Sequence, residues 1–374
     1  MNNMVFFMMV FVIYTLINGY LFYRGWKTIP KLSPVRGGYS VLFFLIYASF
    51  LVAMLGRNVI ALPIQTILYR LGIVWLGFML YLTLWFVITD LIRGLIRWFV
   101  KRKSTICVYR VQVVAGYILV SGVLMYGYYR FLHPAVVEKE IVIHKSGVQY
   151  SKLDVLVFSD LHLGVSIDKK RLQQYVQFIN AQHADLILIA GDVVDNNVRP
   201  LEQKKMNEEL DQLQAPLGVY MCLGNHEYLS GIEGSVKFLR NTKINVLIDS
   251  VAPINDSFWI IGRDDKQGNP RRQSLKSLTA QTDPSQALLL MDHEPYLLEE
   301  AEQEAIDLQV SGHTHHGQMW PFNYLVDKLF ENSYGYLKKG ATQVYVSSGL
   351  GLWGPPFRIG TQSEIVVFHL TFSK

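Results

Sequence analysis

The chain has 374 residues, 51% of them hydrophobic, and this length predicts two or three structural units. Thirteen of its 35 basic residues but only one of its 30 acidic residues precede His133, so the first part has a net charge of +12 and the remainder of −7. An acidic second part disfavours binding to a phosphate backbone, and we expect no nucleic-acid partner.

Residues 1–132 are predicted to form a transmembrane anchor of about four helices. Four stretches without a charged residue have the length that crosses a bilayer, namely 4–23, 39–56, 71–89 and 111–129. Tyrosine and tryptophan lie near several of their ends, as is typical at a membrane surface. No carboxylate or histidine lies within them, which favours an anchor over an ion path, with a lipid-facing surface for a substrate as the alternative.

The basic residues between these stretches predict their orientation. The first connection carries four basic residues and the third carries six, but the second carries only two. Because basic connections stay on the cytoplasmic side, the N-terminus and all residues after Arg130 are predicted to lie outside the cytoplasm. The predicted location is a bacterial-type cytoplasmic membrane, crossed several times, with the second part of the chain on the extracytoplasmic side.

Residues 133–152 are predicted to be a linker, and residues 153–374 a second domain of the α/β class, because β-rich runs alternate with helical patterns. The predicted strands are 153–158, 185–190, 217–223, 246–248, 258–262, 287–291, 343–347 and 364–370, and the predicted helices are 168–182, 202–214 and 233–240. Ligands of α/β folds bind at the carboxyl ends of the strands. Five β-rich runs, including the one that ends at Ser311, are followed by metal-binding residue types.

These five strand ends form a series of short motifs. They read Asp-x-His, Gly-Asp-x-x-Asp, Gly-Asn-His-Glu, a single histidine and Gly-His-x-His, beginning at Asp160, Gly191, Gly224, His293 and Gly312. A single aspartate at a strand end is equally well explained as a cap or an ion-pair partner, so the motifs are interpreted together. Carboxylate, amide and imidazole ligands without thiolate suit Mn, Fe or Zn.

In this order the motifs resemble those of calcineurin-like metallophosphoesterases, and residues 347–360 resemble the closing segment of bacterial membrane-associated members. The resemblance implies a four-layer sandwich of two mixed β-sheets flanked by helices, preceded here by an α-helical transmembrane region. It also implies two divalent metal ions. Their ligands would be Asp160, His162 and His315 for one ion, Asn225, His293 and His313 for the other, and Asp192 as a bridge.

The resemblance also implies two catalytic residues that do not bind metal. His226 would protonate the leaving oxygen or hydrogen-bond the transition state, and Asp195 would orient His226. A turn carboxylate without a catalytic role is the alternative for Asp195. A metal-bridging hydroxide would attack the phosphorus atom in line.

Two positions depart from related sequences, and one further residue is a candidate substrate contact. Asn196 stands where protein phosphatases have arginine, which weakens the case for a phosphoprotein substrate. His316 stands where a glycine is common, and it would either contact substrate or stabilise the turn. Arg358 would bind a phosphate with two hydrogen bonds or serve in packing.

The sequence therefore predicts a membrane-anchored, binuclear metal-dependent phosphoesterase. Its substrate would contain a phosphodiester, pyrophosphate or phosphomonoester bond, with an envelope lipid or a lipid-linked molecule favoured by location alone. A soluble nucleotide or phosphomonoester is the other enzymatic interpretation. The alternative from another class is a catalytically silent membrane protein whose soluble domain binds a metal or a partner.

Overall fold

The computed structural model describes residues 3–31, 33–100 and 106–373. The chain divides into two compact units, Met1–Tyr128 and Tyr129–Lys374. The first unit is helical and the second is built from strands and helices. Each unit is considered by itself below.

The described residues of the first unit form four helices: α1 Asn3–Trp26, α2 Val35–Leu55, α3 Leu62–Val100 and α4 Ile106–Leu132, the last of which continues past the unit boundary. Among the described residues, three helical segments are long and apolar enough to cross a membrane, namely Val35–Leu55, Leu62–Phe99 and Ile106–Leu132. The first predicted stretch, 4–23, lies within α1, but several side chains at its start are outside the described part of the chain.

Helix α3 is longer than the stretch 71–89 that the absence of charge predicts. It continues past Asp90 because two arginines neutralise this carboxylate. Arg24 of α1 lies 2.7 Å from Asp90 Oδ1, and Arg93 forms a second ion pair with the same oxygen. A charged residue therefore ends the uncharged run without ending the helix.

The second unit contains two six-stranded sheets among its described residues. Its strands are β1 Ala135–His144, β2 Lys152–Phe158, β3 Leu186–Ala190, β4 Val219–Cys222, β5 Asn245–Leu247, β6 Ser250–Ile254, β7 Phe258–Gly262, β8 Ala287–Met291, β9 Leu308–Ser311, β10 Gly335–Lys339, β11 Thr342–Val346 and β12 Glu364–Ser373. The first sheet has the order β1-β12-β2-β3-β4-β5 and the second β10-β11-β9-β8-β7-β6. Parallel pairs dominate both, and antiparallel pairs occur at β12–β2, β10–β11 and β6–β7.

The hydrophobic core has one layer between the two sheets and further layers on their outer faces, because alternate side chains of each strand point to opposite faces. Val155, Leu188 and Leu289 belong to the cluster that both sheets share. Leu156 and Ile187 instead pack with the helix that follows β2. A separate cluster joins the outer face of β7 and β8 to two short helices. The predicted arrangement of two mixed sheets flanked by helices is confirmed.

The helices of this unit are α5 Lys169–Asn180, α6 Arg199–Gln203, α7 Asn207–Leu210, α8 Asn225–Leu229, α9 Ile232–Arg240, α10 Leu275–Thr279, α11 Leu298–Gln303 and α12 Asn323–Leu329. Asp168 caps α5 by accepting a hydrogen bond from the backbone N–H of Arg171. The predicted helix 202–214 is instead two short helices, α6 and α7. Lys205 between them has a φ of 50°, a left-handed conformation that a continuous helix does not contain.

The predicted linker 133–152 contains a full strand, β1. It pairs in parallel with β12 over ten residues, from Ala135 opposite Glu364 to His144 opposite Ser373. Ile141 and Ile143 face the core, whereas Glu138 and Glu140 are exposed. These glutamates belong to the period-two pattern of an edge strand, but in the sequence they give the segment the composition of a linker.

Candidate metal centre

The predicted ligands follow the carboxyl ends of β2, β3, β4, β8 and β9, and Asn225 among them is the first residue of α8. Five of these residues have a left-handed backbone with φ between 47° and 70°, namely Asp160, His162, Asp192, His313 and His315. Such a conformation costs a non-glycine residue roughly 1–3 kcal/mol and is concentrated at functional sites. The fold therefore holds these side chains in directions that local preference does not favour.

Two imidazoles and one carboxylate form the first group. His162 Nε2 lies 3.1 Å from His315 Nε2, and the latter lies 3.4 Å from Asp160 Oδ1. Burial, only partly opposed by Asp160, holds the pKa of His315 well below its ordinary value. Two ring nitrogens facing each other need a proton or a cation between them. Because protonation of His315 is disfavoured, this group of residues is able to bind a metal.

Asp192 lies between this group and the next one. Its Oδ2 atom is 3.7 Å from His162 Nε2 and 3.1 Å from His293 Nε2. His293 Nδ1 lies 2.7 Å from the carbonyl oxygen of Ala190 and donates to it, which leaves Nε2 free as a ligand. Burial disfavours a charge on this ring, but Asp192 and Asp160 raise the pKa of His293 well above its ordinary value. The surroundings of His293 therefore favour a positive charge, which a metal ion can supply.

His313 and Asn225 complete the second group. His313 Nδ1 lies 3.0 Å from Asn225 Oδ1, and the ring of His313 is 5.3 Å from that of His293. Burial, together with His293, lowers the pKa of His313 to about 4. A neutral imidazole is the form that binds metal. The structure thus brings all seven predicted ligands into one continuous cluster.

Two glycines are required by the close approach of backbone to these carboxylates. A Cβ atom on Gly224 would overlap with Asp192 Oδ1, and one on Gly312 would overlap with Asp160 Oδ2. The contacting atoms belong to predicted ligands, so the clash could not be relieved without displacing a ligand. These glycines therefore stand in the motifs for a steric reason.

His226 and Asp195 lie beside the first group. His226 Nδ1 is 3.5 Å from Asp195 Oδ1, and the rings of His226 and His162 are 4.4 Å apart. Burial alone would lower the pKa of His226, but the carboxylates of Asp195 and Asp192 raise it above its ordinary value. Asn196 donates a 2.6 Å hydrogen bond to Asp195 Oδ2. Asn196, which stands where protein phosphatases have arginine, thus orients Asp195.

The sequence predicts no role for Glu227, but in the structure this residue connects the loops after β3 and β4. Its carboxylate accepts hydrogen bonds from the backbone N–H groups of Asp192, Val193, Val194 and Gly224 at 2.8–3.2 Å. Its position three residues after Gly224, at the start of α8, is the one sequence signal, because a glutamate there commonly returns to the cap. Glu227 places Asp192 relative to Asn225.

The environment of Arg358 differs from that expected of a phosphate contact. Its side chain has no exposed surface, and its terminal nitrogens donate to the carbonyl oxygens of His315, Gly349 and Gly351. Burial lowers its pKa to about 10, so it remains a cation at neutral pH. These hydrogen bonds hold the loop 349–351 and the backbone of His315 next to the metal centre. The guanidinium is therefore not available to a phosphate.

His316 has the environment of a turn residue. It adopts a left-handed backbone with φ 47° and ψ 41°, and its ring stacks on Tyr334 with 4.7 Å between ring centres. Its Nε2 atom lies 3.5 Å from Asp327 of α12. These contacts connect α12, and the segment that follows it, to the loop that carries His313 and His315.

Exposed aromatic and aliphatic side chains adjoin the centre. Trp353 is 55% exposed, and its ring lies 6.0 Å from that of His226. Phe330 lies 6.1 Å from the ring of His313 and stacks on Tyr296. Helix α12, which packs against the loop of His315, has no buried residue and exposes several apolar side chains, among them Tyr324, Leu325 and Leu329.

Comparison with known proteins agrees with this geometry. A family model described as calcineurin-like phosphoesterase matches residues 153–317. An uncharacterized metallophosphoesterase of Helicobacter pylori (strain J99) is 31% identical over 263 residues, which are 69% of this chain and 70% of that protein. A transmembrane protein with metallophosphoesterase domain from Danio rerio is 31% identical over 273 residues, and this chain spans 61% of its length and is itself covered to 68%.

A solved structure, the 5'-nucleotidase precursor from Thermus thermophilus, has a TM-score of 0.35 and 16% identity over 58% of this chain and 55% of that one. That likeness is too distant to bear on function. The relatives in sequence, the matched family model and the sheet architecture agree with one another. The chain therefore belongs to the calcineurin-like metallophosphoesterase family.

Proposed function

We propose that the chain is a membrane-anchored phosphoesterase that uses two divalent metal ions. The observation that carries the proposal is the position of Asp192 Oδ2, within 3.7 Å of His162 Nε2 and 3.1 Å of His293 Nε2. One oxygen between two groups of imidazoles supports the proposal that Asp192 would bridge two ions. Asp160, His162 and His315 would hold one ion, and Asn225, His293 and His313 the other.

Bound there, two divalent ions such as Mn, Fe or Zn would lower the pKa of water and stabilise charge on the phosphoryl oxygens. The chain's own residues supply the remaining functions. His226 directs Nδ1 towards Asp195, which leaves Nε2 for a substrate oxygen. Asp195 and Asp192 raise the pKa of His226, which favours the protonated ring that would donate a proton to the leaving oxygen.

The proposed bond is a phosphodiester, pyrophosphate or phosphomonoester, and we favour a lipid or lipid-linked substrate. Three segments in the described part of the chain could cross a membrane, and the exposed apolar side chains beside the centre could contact a hydrophobic tail. A soluble nucleotide is the enzymatic alternative. We expect no nucleic-acid partner.

The proposed organisation is an anchor over residues 1–132 and a catalytic domain over residues 153–374. The segment between them contributes β1 to the first sheet of the second unit. The excess of basic residues in the first and third connections supports a domain on the extracytoplasmic side of a bacterial-type membrane. A reporter enzyme that is active only outside the cytoplasm, fused after Lys374, tests this orientation.

The test of activity uses the full chain in detergent, loaded with Mn²⁺. A phosphodiester, a phosphomonoester, a nucleotide and a lipid pyrophosphate are offered in parallel. We expect hydrolysis of at least one, abolished by Asp192→Asn and preserved by Asp307→Asn, which removes a carboxylate at the start of β9. Full turnover by the Asp192→Asn protein would refute the two-metal proposal.

The alternative function is a catalytically silent domain that binds a metal or a partner. It predicts that the protein binds two Mn²⁺ ions and hydrolyses none of the four compounds. The orientation of His226 by Asp195 argues for catalysis, because neither residue is needed to hold a metal in the proposed ligand set. The same assay decides between the two functions.

A further inference from the structure

Glu294 follows His293 after β8, and its carboxylate is buried without a hydrogen-bond donor. The residue is 1% exposed, and neither carboxylate oxygen has a hydrogen-bond partner among the described residues. Asp292, two positions earlier, is paired with Arg263 at 3.1 Å and Arg272 at 2.8 Å. A buried carboxylate without a hydrogen-bond partner destabilises a fold, so its presence calls for a donor.

The group in position to donate a hydrogen bond to this carboxylate is the neutral imidazole of His313. Glu294 Oε1 lies 3.7 Å from His313 Nε2. The two loops are joined at the backbone, where the N–H of Gly312 donates a 2.9 Å hydrogen bond to the carbonyl oxygen of His293. The approach of Glu294 to His313 is therefore fixed by the ends of β8 and β9.

The two nitrogens of His313 face different partners. Nδ1 lies 3.0 Å from Asn225 Oδ1, the other proposed ligand of the same ion, whereas Nε2 faces Glu294. A histidine that binds a metal through one nitrogen commonly donates the N–H of the other to a carboxylate or carbonyl oxygen. His293 already follows this pattern, because its Nδ1 donates to the carbonyl oxygen of Ala190 at 2.7 Å.

We infer that Glu294 is a positioning residue that accepts the Nε2–H of His313 and so holds Nδ1 as the metal ligand. The inference rests on the proposed binuclear function. The distance of 3.7 Å exceeds a hydrogen bond of about 3 Å, and we expect it to shorten when a cation polarises the ring. Glu294 would thereby strengthen one of the two metal sites and leave the other unchanged.

The test is titration of the chelator-treated full chain in detergent with Mn²⁺, with free Mn²⁺ followed by electron paramagnetic resonance. In Glu294→Met, which has a similar volume and no acceptor oxygen, one of the two ions should bind about 10- to 100-fold more weakly. Glu294→Gln keeps an acceptor oxygen without the charge, and we expect a smaller loss. If the Glu294→Met protein does not fold, the Mn²⁺ affinities of the Glu294→Gln protein provide the test.

Thermal unfolding of the chelator-treated proteins separates positioning from a purely structural role. Removal of an unpaired buried carboxylate should raise the melting temperature of Glu294→Met while its affinity for one Mn²⁺ falls. A residue that served only the fold would lower the melting temperature and leave the affinities unchanged. Asp307→Asn, at the opposite end of β9, is the matched control and should bind both ions like the natural protein.

The result with the natural chain distinguishes two failures. Binding of fewer than two Mn²⁺ ions by that chain would overturn the proposed function itself. Binding of two ions by the natural chain, with the same two affinities in Glu294→Met and Glu294→Gln, would overturn only the role of Glu294. Selective loss of one affinity, with partial recovery in Glu294→Gln, supports it.

Discussion

The backbone N–H of His226 donates a 2.8 Å hydrogen bond to Oδ1 of Asp192. This bond determines which oxygen of Asp192 faces the metal centre, because Oδ1 is occupied and Oδ2 is turned towards His162 and His293. It also ties the proposed proton donor to the proposed bridging ligand. Because the donor is a backbone group, a change of the His226 side chain should leave this hydrogen bond and the metal ligands in place.

The first prediction concerns the bridge. Asp192→Asn keeps the size of the side chain and an oxygen that can accept from His226, but removes the charge shared by the two ions. We expect affinity for Mn²⁺ to fall by more than about 100-fold, since loss of residues that merely support a ligand already costs about 10- to 100-fold. Equilibrium dialysis with metal analysis measures this, and an unchanged content of two ions would contradict the bridge.

The second prediction concerns proton transfer. His226→Gln should lower kcat by about 100- to 10,000-fold, the usual contribution of a positioned acid, while the bound metal stays near two ions per chain. Loss of both ions in this variant would instead make His226 a ligand. Metal analysis of the protein that was assayed serves as the control.

The third prediction is a pH dependence. A donor must be protonated, so activity should fall as the pH rises through the pKa of His226, which Asp195 helps to raise. Asp195→Asn removes that charge and lowers this pKa, so the alkaline fall in kcat/KM should move to lower pH. An alkaline limb at the same pH in both proteins would show that another group limits the reaction.

The clustering of the proposed ligands could be predicted from the sequence because each of them follows a β-rich run at short range. Asp160 follows β2 and His293 follows β8 within two residues of the strand, and parallel strands bring such ends to one edge. Which of these ligands would share an ion came from the resemblance to metallophosphoesterases and stays a prediction. Local pattern and sheet geometry together were sufficient for the clustering of these side chains.

The supporting residues could not be predicted in the same way, because their partners are distant in sequence. Arg358 donates to the carbonyl oxygen of His315, 43 residues away, and nothing in its own neighbourhood distinguishes that role from a phosphate contact. Glu294 can be recognised only in the structure, where its buried carboxylate has no hydrogen-bond partner among the described residues and lies 3.7 Å from His313 Nε2. Strand β1 could not be predicted for a related reason, since its partner β12 lies at the other end of the domain.

The fourth prediction follows from the burial of Arg358. Arg358→Met would remove a donor from three buried carbonyl oxygens, and although those of His315 and Gly349 keep a backbone donor, the oxygen of Gly351 has no other among the described residues, which costs about 1–3 kcal/mol. We expect a lower melting temperature and weaker metal retention, because the carbonyl group of His315 and the loop 349–351 lose their support. KM in protein that remains folded and metal-loaded should change little. A large rise in KM at normal stability would restore the role of Arg358 as a phosphate contact.

The fifth prediction tests the apolar side chains of α12. Tyr324 and Leu325 are exposed, and α12 buries none of its residues, so the double variant Tyr324→Ser, Leu325→Ser should keep its melting temperature and metal content. If a hydrophobic tail of the substrate covers them, their loss should raise KM for a lipid pyrophosphate by about tenfold, roughly 0.7 kcal/mol for each side chain.

KM for a soluble phosphodiester should be unchanged in that double variant, because the metal centre and His226 are untouched. Lys338→Ser, at an exposed position of β10, is a control for a serine substitution elsewhere on the surface of the same unit. Equal effects on both substrates would indicate that α12 supports the loop of His315 and does not contact a tail. No effect on either would leave a soluble phosphoester as the favoured substrate, because the exposed apolar face would then contribute nothing to recognition.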